Sequence, residues 1–229
     1  MCRKTPSTEE INNLRKKIIK WFVKNEREYP WRKTKDSFKI LIAEIMLRRT
    51  KADQVKPVYE LLFKKYPDIE SLANARKRSI ERVLFPLGLK WRNDCFLVVA
   101  RKIKDQYKLK VPEKREDLIK LPGVGDYVAG AVLLFAYGKK EWIVDSNIAR
   151  LFKRYFGIKT GKEARRDKAI VEIAKLYSKY IDPRKANMAL LDFSSLVCVP
   201  RKAKCETCPL FVKCNYRIIG INRDTSHFL

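Results

Sequence analysis

Apolar side chains recur every three or four residues through most of the chain, which is the spacing of one face of an α-helix. The clearest repeats are Ile11, Leu14, Ile18, Trp21 and Phe22, then Ile80, Val83 and Leu84, and later Ile170, Ile173, Ala174 and Tyr177. Alternating strand-like patterns are scarce, and most of the ten prolines fall between the helical segments. We therefore predict an all-α protein of about ten helices.

The charge of the chain points to a polyanionic partner. It has 52 lysines and arginines against 26 acidic residues, a formal net charge of +26, and the basic residues are spread over the whole length. A folded protein tolerates this repulsion more easily beside a polyanion, and nucleic acid is the usual one. Membrane surfaces and ribosomes are also polyanionic, so charge alone gives only the class of partner.

Several classes of protein are excluded by what the sequence lacks. The longest apolar run, residues 127–137, is about half the length of a membrane-spanning helix, so no membrane role is expected. The N-terminus has no apolar signal-peptide core, which favours a reducing, cytoplasmic location. His227 is the sole histidine. Histidine-based triads and histidine zinc centres are therefore implausible.

A glycine-rich turn precedes the most apolar helix. Leu121-Pro122-Gly123-Val124-Gly125 is followed by a helix from Asp126 to about residue 137, and Pro112 opens a short helix upstream. Backbone N–H groups in such a turn, next to a helix N-terminus, suit a phosphate oxygen. A plain helix–helix turn is the alternative. The arrangement is a helix–hairpin–helix, which would position the protein on DNA without reading bases.

Four cysteines are clustered near the C-terminus, while Cys2 and Cys95 look like ordinary thiols. The four clustered cysteines are Cys198, Cys205, Cys208 and Cys214, with the spacing C-x6-C-x2-C-x5-C. In a reducing compartment, four such thiolates suit a tetrahedral zinc ion or a [4Fe–4S] cluster, and disulfides are a third possibility. The basic side chains in this segment suit DNA backbone, and they are Arg201, Lys202, Lys204 and Lys213.

Two carboxylates stand out. Glu44 is isolated on an otherwise apolar helix, where it is either a solvent-facing gap or a buried acid with a raised pKa. Asp145 follows an apolar segment and precedes a helix, so it suits an N-cap. A carboxylate there also suits stabilisation of a developing positive charge or activation of water.

Together these features resemble the helix–hairpin–helix superfamily of DNA glycosylases, which includes endonuclease III and the adenine- and thymine-mismatch glycosylases. The resemblance runs from about Tyr29 to Cys214. Its anchors are Tyr29-Pro30-Trp31-Arg32, the segment 41–50, the hairpin, Val144-Asp145-Ser146-Asn147 and the four cysteines.

The resemblance implies two helical domains with a DNA-binding cleft between them. One is a six-helix domain at 30–135 with the hairpin, and the other joins 1–29 to 136–229 and carries a [4Fe–4S] loop at the four cysteines, with zinc as the alternative. The expected partner is double-stranded DNA containing a mismatch, bound by a monomer. We expect a prokaryotic-type, nucleoid-associated cytoplasmic enzyme followed by an abasic-site endonuclease.

The resemblance also implies roles for site residues. Asp145 matches the essential acid, while Glu44 and Asn147 match residues of the mismatch-specific branches. Tyr127 stands where endonuclease III has the lysine that forms a Schiff base with the sugar. A phenol cannot form that imine, so we expect a monofunctional glycosylase, although Lys120 lies close in sequence.

The identity of the base depends on Arg48-Arg49-Thr50, which resembles the thymine-mismatch branch, whereas adenine-mismatch enzymes usually carry Gln-Gln-Thr. Either arginine suits the orphaned guanine opposite a flipped base, and phosphate contact is the alternative. The chain also ends shortly after Cys214, without the extra domain of adenine-mismatch enzymes. We expect excision of thymine or uracil opposite guanine. The alternatives are an adenine-mismatch enzyme, a bifunctional glycosylase/lyase and a non-catalytic zinc-stabilised nucleic-acid-binding module.

Overall fold

The computed structural model describes residues 6–88 and 93–218, and Cys2 and His227 lie outside these ranges. The described residues form helices and loops and contain no β-strand, as the apolar spacing predicts. No helix among them is both long and apolar enough to cross a membrane. The chain divides into two compact units, with the boundaries after Arg27 and after Lys139.

The first unit spans Glu28–Lys139 and contains eight α-helices among its described residues. They are α2 (Pro30–Lys33), α3 (Ser37–Met46), α4 (Ala52–Lys65), α5 (Ile69–Ala73), α6 (Lys77–Leu84), α7 (Asn93–Tyr107), α8 (Arg115–Ile119) and α9 (Asp126–Phe135). Helices α3 and α9 pack against each other, α4 packs on α3, and α8 packs on α9.

Helices α3 and α9 form the core of this unit because both are apolar on nearly all sides. Residues 40–46 of α3 and residues 128–135 of α9 are all buried. Asp36 caps α3 by accepting hydrogen bonds from the backbone N–H groups of Phe38 and Lys39. Glu44 lies on α3, so the fold places a carboxyl inside an apolar layer.

The second unit combines the N-terminal segment with the chain after Lys139. Its four longest α-helices in the described ranges are α1 (Thr8–Phe22), α10 (Ser146–Phe156), α11 (Lys168–Ser178) and α12 (Pro183–Leu196), and residues 215–218 are also helical. Helix α1 packs on α11 and α12, and α10 also packs on both. A capping box between Ser7 and Glu10 starts α1, and Gly157, at φ 69°, ends α10.

Candidate functional site

Glu44 is buried, with 5% of its surface exposed. Its neighbours along α3, Ala43, Ile45 and Met46, are fully buried, so Glu44 is a buried acid on an apolar helix. The structure therefore rejects the solvent-facing alternative. Burial of a carboxyl group costs free energy, and such a cost is typical of a functional residue rather than a purely structural one.

The hairpin has the tight geometry that its two glycines predict. Gly123 has φ 77°, a left-handed conformation that favours glycine, and Val124 donates its backbone N–H to Leu121 O at 3.1 Å. Leu121 and Val124 are buried and anchor the turn. Gly125 is the N-cap of α9 and offers no side-chain cap, which leaves N–H groups of the first turn for an anion.

Arg48 and Arg49 have different environments, although they are adjacent at the end of α3. Arg48 donates from Nη1 to the carbonyl oxygen of Gly123 at 2.9 Å, so its side chain is held against the hairpin. Arg49 is exposed and has φ 61°, which is uncommon for a residue with a side chain. The sequence could not separate these two arginines, because the difference depends on the backbone conformation after α3.

Tyr127 is half-buried in the first turn of α9, two residues after the hairpin. Lys120, the nearby lysine, is paired with Asp117 through a contact of 2.8 Å between Nζ and Oδ1. The hydrogen bond to Asp117 raises the pKa of Lys120 above its usual value, so the amine stays protonated. A protonated amine cannot attack a sugar carbon.

Asp145 is the N-cap of α10, and both of its carboxylate oxygens accept hydrogen bonds. Oδ1 accepts from the backbone N–H of Ile148 at 2.7 Å, and Oδ2 accepts from Nδ2 of Asn147 at 2.9 Å. Capping and a fixed carboxylate orientation therefore coexist in one residue. The structure brings Asp145 and Asn147 into direct contact, as their separation of two residues allows.

Arg150 extends this network toward the cysteine loop. Its Nη2 donates to Asn147 Oδ1 at 2.9 Å and to Ser194 O at 3.0 Å, and its Nε donates to Cys198 O at 2.7 Å. A chain of hydrogen bonds thus runs from Asp145 through Asn147 and Arg150 to the backbone of the first clustered cysteine. Sequence reasoning missed Arg150, and its i+3 spacing from Asn147 is the one signal that could have indicated it.

The four C-terminal cysteines lie close enough to influence one another. Burial raises the pKa of the Cys208 thiol to about 11, and negative charge on the other three sulfurs contributes to that rise. Arg154 lies beside them, because its Nη1 is 3.6 Å from Cys198 Sγ and its carbonyl oxygen accepts from Cys214 Sγ at 3.7 Å. Arg154 also donates to the carbonyls of Val199 and Pro200. Helix α10 thus holds the cysteine loop in place through the hydrogen bonds of Arg154.

In the described part of the chain, no group of three or more Cys, His, Asp or Glu residues is suited to holding one metal ion. The basic side chains of the loop are exposed to solvent, and they are Arg201, Lys202, Lys204 and Lys213. Cys95 lies outside the cluster, next to Gly123. The loop therefore combines a core of thiols with a cationic surface.

Residues 42–188 match the family model described as HhH-GPD superfamily base excision DNA repair protein. The matched segment covers more than half of the chain and includes Glu44 on α3, the hairpin, Asp145 and Arg150. The chain belongs to the HhH-GPD superfamily. The family expected from the hairpin, the carboxylates and the cysteine spacing is confirmed, and with it a base excision repair DNA glycosylase.

Relatives and a solved structure extend this similarity over most of the chain. Thymine/uracil-DNA glycosylase of Methanothermobacter thermautotrophicus is 38% identical over 200 residues, covering 87% of this chain and 90% of its own. Thymine-DNA glycosylase of Aeropyrum pernix is 36% identical, covering 90% and 95%. The solved structure of a thermostable thymine-DNA glycosylase superposes with a TM-score of 0.87 at 35% identity, covering 92% of this chain and 98% of its own.

Proposed function

We propose that this superfamily member is a monofunctional DNA glycosylase that excises thymine or uracil opposite guanine and leaves an abasic site. The observation that carries the proposal is the fixed carboxylate of Asp145, held by Ile148 and Asn147 at the start of α10. Relatives named as thymine/uracil- and thymine-DNA glycosylases, at 38% and 36% identity, support the choice of base. The proposed partner is mismatched duplex DNA, bound by a monomer, with an abasic-site endonuclease acting next.

Asp145 stabilises the positive charge that develops on the sugar as the N-glycosidic bond breaks. Its orientation is fixed because each carboxylate oxygen already accepts one hydrogen bond, so little reorganisation is needed during the reaction. The remaining lone pairs are left for the sugar or an attacking water. Asn147 acts as a positioning residue for this carboxylate.

Glu44 orients the attacking water in this proposal. The support is its burial at 5% exposure on an apolar helix, where a carboxyl group strongly prefers a polar partner. On a purine substrate the same group would instead protonate a ring nitrogen. Its presence therefore fits both mismatch branches and does not choose between them.

The monofunctional reaction is supported by two residues close to the hairpin, Tyr127 and Lys120. Tyr127 occupies the position of the Schiff-base lysine in the endonuclease III branch, and its phenol cannot form an imine. Lys120 is engaged by Asp117, whose hydrogen bond raises the pKa of the amine and so favours its unreactive, protonated form. Borohydride trapping tests this directly: wild-type protein should give no covalent DNA adduct, whereas Tyr127→Lys should give one. Efficient trapping by the wild type would establish the bifunctional alternative.

Arg49 reads the orphaned guanine, and Arg48 fixes the hairpin. Arg48 is committed to Gly123 O, while Arg49 is exposed on a left-handed residue whose conformation costs free energy. Such strain is typical of residues that serve a ligand. A guanidinium suits O6 and N7 of guanine.

Backbone phosphates of the DNA would be bound at two other places. One is the hairpin, at Gly123, Val124 and Gly125, and the other is the cysteine loop, at Arg201, Lys202 and Lys204.

The four cysteines fit a [4Fe–4S] cluster better than a zinc ion. Around a single zinc, thiolate sulfurs about 2.3 Å from the metal would lie about 3.8 Å apart. The described residues contain no group that suits one ion, yet burial, together with negative charge on neighbouring cysteines, raises the pKa of Cys208 and of Cys214. Cys198, Cys205, Cys208 and Cys214 would hold the cluster. Bound there, the cluster would supply a cross-link of the loop rather than an open coordination site.

The decisive experiment is a single-turnover panel on duplexes containing G·T, G·U, A·G and A·8-oxoguanine pairs, with alkali to reveal abasic sites. Release of thymine or uracil opposite guanine is expected. Release only from A·8-oxoguanine would replace the proposed substrate with adenine, while no release from any duplex would favour the binding-module alternative.

A further inference from the structure

A cavity of about 1010 Å³ opens within the unit that contains Asp145. It is lined by α1, by residues that follow α11, and by residue 140. None of the residues proposed above for catalysis, guanine recognition or cluster binding lines it. Its chemistry therefore requires a separate explanation.

A buried arginine forms part of the wall. Arg15 is 4% exposed and donates from Nε to Tyr177 O at 2.9 Å, from Nη2 to Leu176 O at 2.8 Å, and from Nη1 to Asn12 Oδ1 at 2.8 Å. The guanidinium carbon also lies 5.0 Å from the centre of the Tyr180 ring. A guanidinium has five N–H bonds, and these contacts with described residues use three. The group is thus rigid and keeps capacity for another acceptor.

Three lysines from separate parts of the chain line the same cavity: Lys16, Lys140 and Lys179. The lining contains no acidic residue from the described part of the chain. The nearby Asp182 is engaged as the N-cap of α12, where its side chain accepts from the backbone N–H of Lys185. Capping of α11 explains the contacts of Arg15, but it does not explain why three exposed lysines line the same cavity.

Like charges around one cavity repel each other, and an anion would relieve that repulsion. Burial lowers the pKa of Arg15, which shows that its charge lacks full solvation in the wall. The cavity also has apolar lining at Ile19 and an aromatic ring at Tyr180, which suit a sugar or a base beside the anion.

We propose that this cavity binds a phosphate-bearing anion, with Arg15, Lys16, Lys140 and Lys179 as the cationic wall. The ligand is either a free nucleotide or pyrophosphate, or the backbone phosphates of a nucleic-acid strand. The shared chemistry is a phosphate group, for which a preorganised guanidinium and lysine ammonium groups are favoured donors.

The test uses sodium pyrophosphate and isothermal titration calorimetry on the full chain. The cavity variant is Lys16→Gln with Lys179→Gln. The matched control is Lys20→Gln with Lys175→Gln, which removes one lysine from α1 and one from α11 outside the cavity lining. Both variants lose two positive charges, so long-range attraction changes equally. Thermal unfolding checks that both remain folded.

Wild-type protein should bind one pyrophosphate in a saturable manner, and the cavity variant should bind about tenfold more weakly, while the control stays within about twofold. Equal weakening in both variants, or no saturable binding by the wild type, would overturn the proposal. Repeating the pyrophosphate titration in the presence of a short undamaged duplex identifies the source of the phosphate. If the duplex competes with pyrophosphate for the wild type and the control but not for the cavity variant, the ligand is a nucleic-acid strand. If the duplex does not compete with pyrophosphate, the ligand is a free anion.

Discussion

Asn147 donates a hydrogen bond from Nδ2 to Oδ2 of Asp145 over 2.9 Å. With the capping bond from Ile148 to Oδ1, this contact fixes the carboxylate in one orientation at the start of α10. The position of Asp145 is therefore determined by the helix, and its rotation by a neighbouring amide. The two effects are separable by mutation.

Asp145→Asn should keep the fold and lose base release. Asparagine is as good an N-cap as aspartate, so the melting temperature should stay close to that of the wild type. The excision rate should fall by about 10²–10⁴, because an amide cannot supply the negative charge or accept a proton. Single-turnover excision and duplex binding are the measurements. Wild-type turnover in this variant would show that Asp145 is only a cap.

Arg150→Gln should slow excision although Arg150 is not assigned any contact with DNA. Loss of the guanidinium frees Asn147 Oδ1, so the Asp145 carboxylate becomes less well oriented. We expect about a tenfold decrease in the single-turnover rate, with little change in the dissociation constant for DNA. The double variant with Asn147→Ala should be no slower than Asn147→Ala alone, since both changes disrupt one network.

Arg154→Gln is the matched control for Arg150. It lies one turn later on α10 and contacts the carbonyls of Val199 and Pro200 instead of Asn147. It should weaken DNA binding by loosening the cysteine loop and leave the rate at saturating enzyme unchanged. Equal rate losses in the two variants would contradict a specific link through Asn147.

Arg49→Gly should change the preference for the opposite base, whereas Arg48→Gln should change the affinity for DNA in general. Glycine removes the strain at φ 61°, so Arg49→Gly should be as stable as the wild type or more so, yet lose about tenfold of its preference for guanine as the opposite base. Arg48→Gln should weaken binding to all duplexes alike, because it releases Gly123. Excision of uracil opposite guanine and opposite adenine measures both effects, and the reverse pattern would exchange the assigned roles.

Much of this fold follows from local chemistry, and the remainder depends on tertiary packing. Helix α3 is predictable from its apolar run and from Asp36 as its cap, and Asp145 from its place before an amphipathic helix. Arg150 was not predictable, because the carbonyls of Ser194 and Cys198 that it contacts come from a distant segment and meet it only after α10 packs on α12. Helix α5, with five residues, is too short to show a helical period.

Glu44→Gln should separate function from stability. An uncharged amide costs less to bury than a carboxylate, so the free energy of unfolding should stay equal or increase. The excision rate should fall by about 10² if the carboxylate orients water. Glu60→Gln, on the exposed side of α4, provides a charge-matched control. An unchanged rate in Glu44→Gln would assign Glu44 a purely structural role.

Removal of the proposed [4Fe–4S] cluster should loosen the segment between Cys198 and Cys214 and weaken DNA binding. The segment has few buried apolar side chains, and apart from the contacts of Arg150, Arg154 and neighbouring residues its cross-links would be the four cysteines. After oxidation or chelation, limited proteolysis should cut this loop first, and affinity for undamaged duplex should fall about tenfold as Arg201, Lys202 and Lys204 lose their fixed positions. Cys95→Ser, which removes a thiol outside the cluster, should change neither measurement. Intact affinity in the metal-free protein would show that the loop holds its shape without the group.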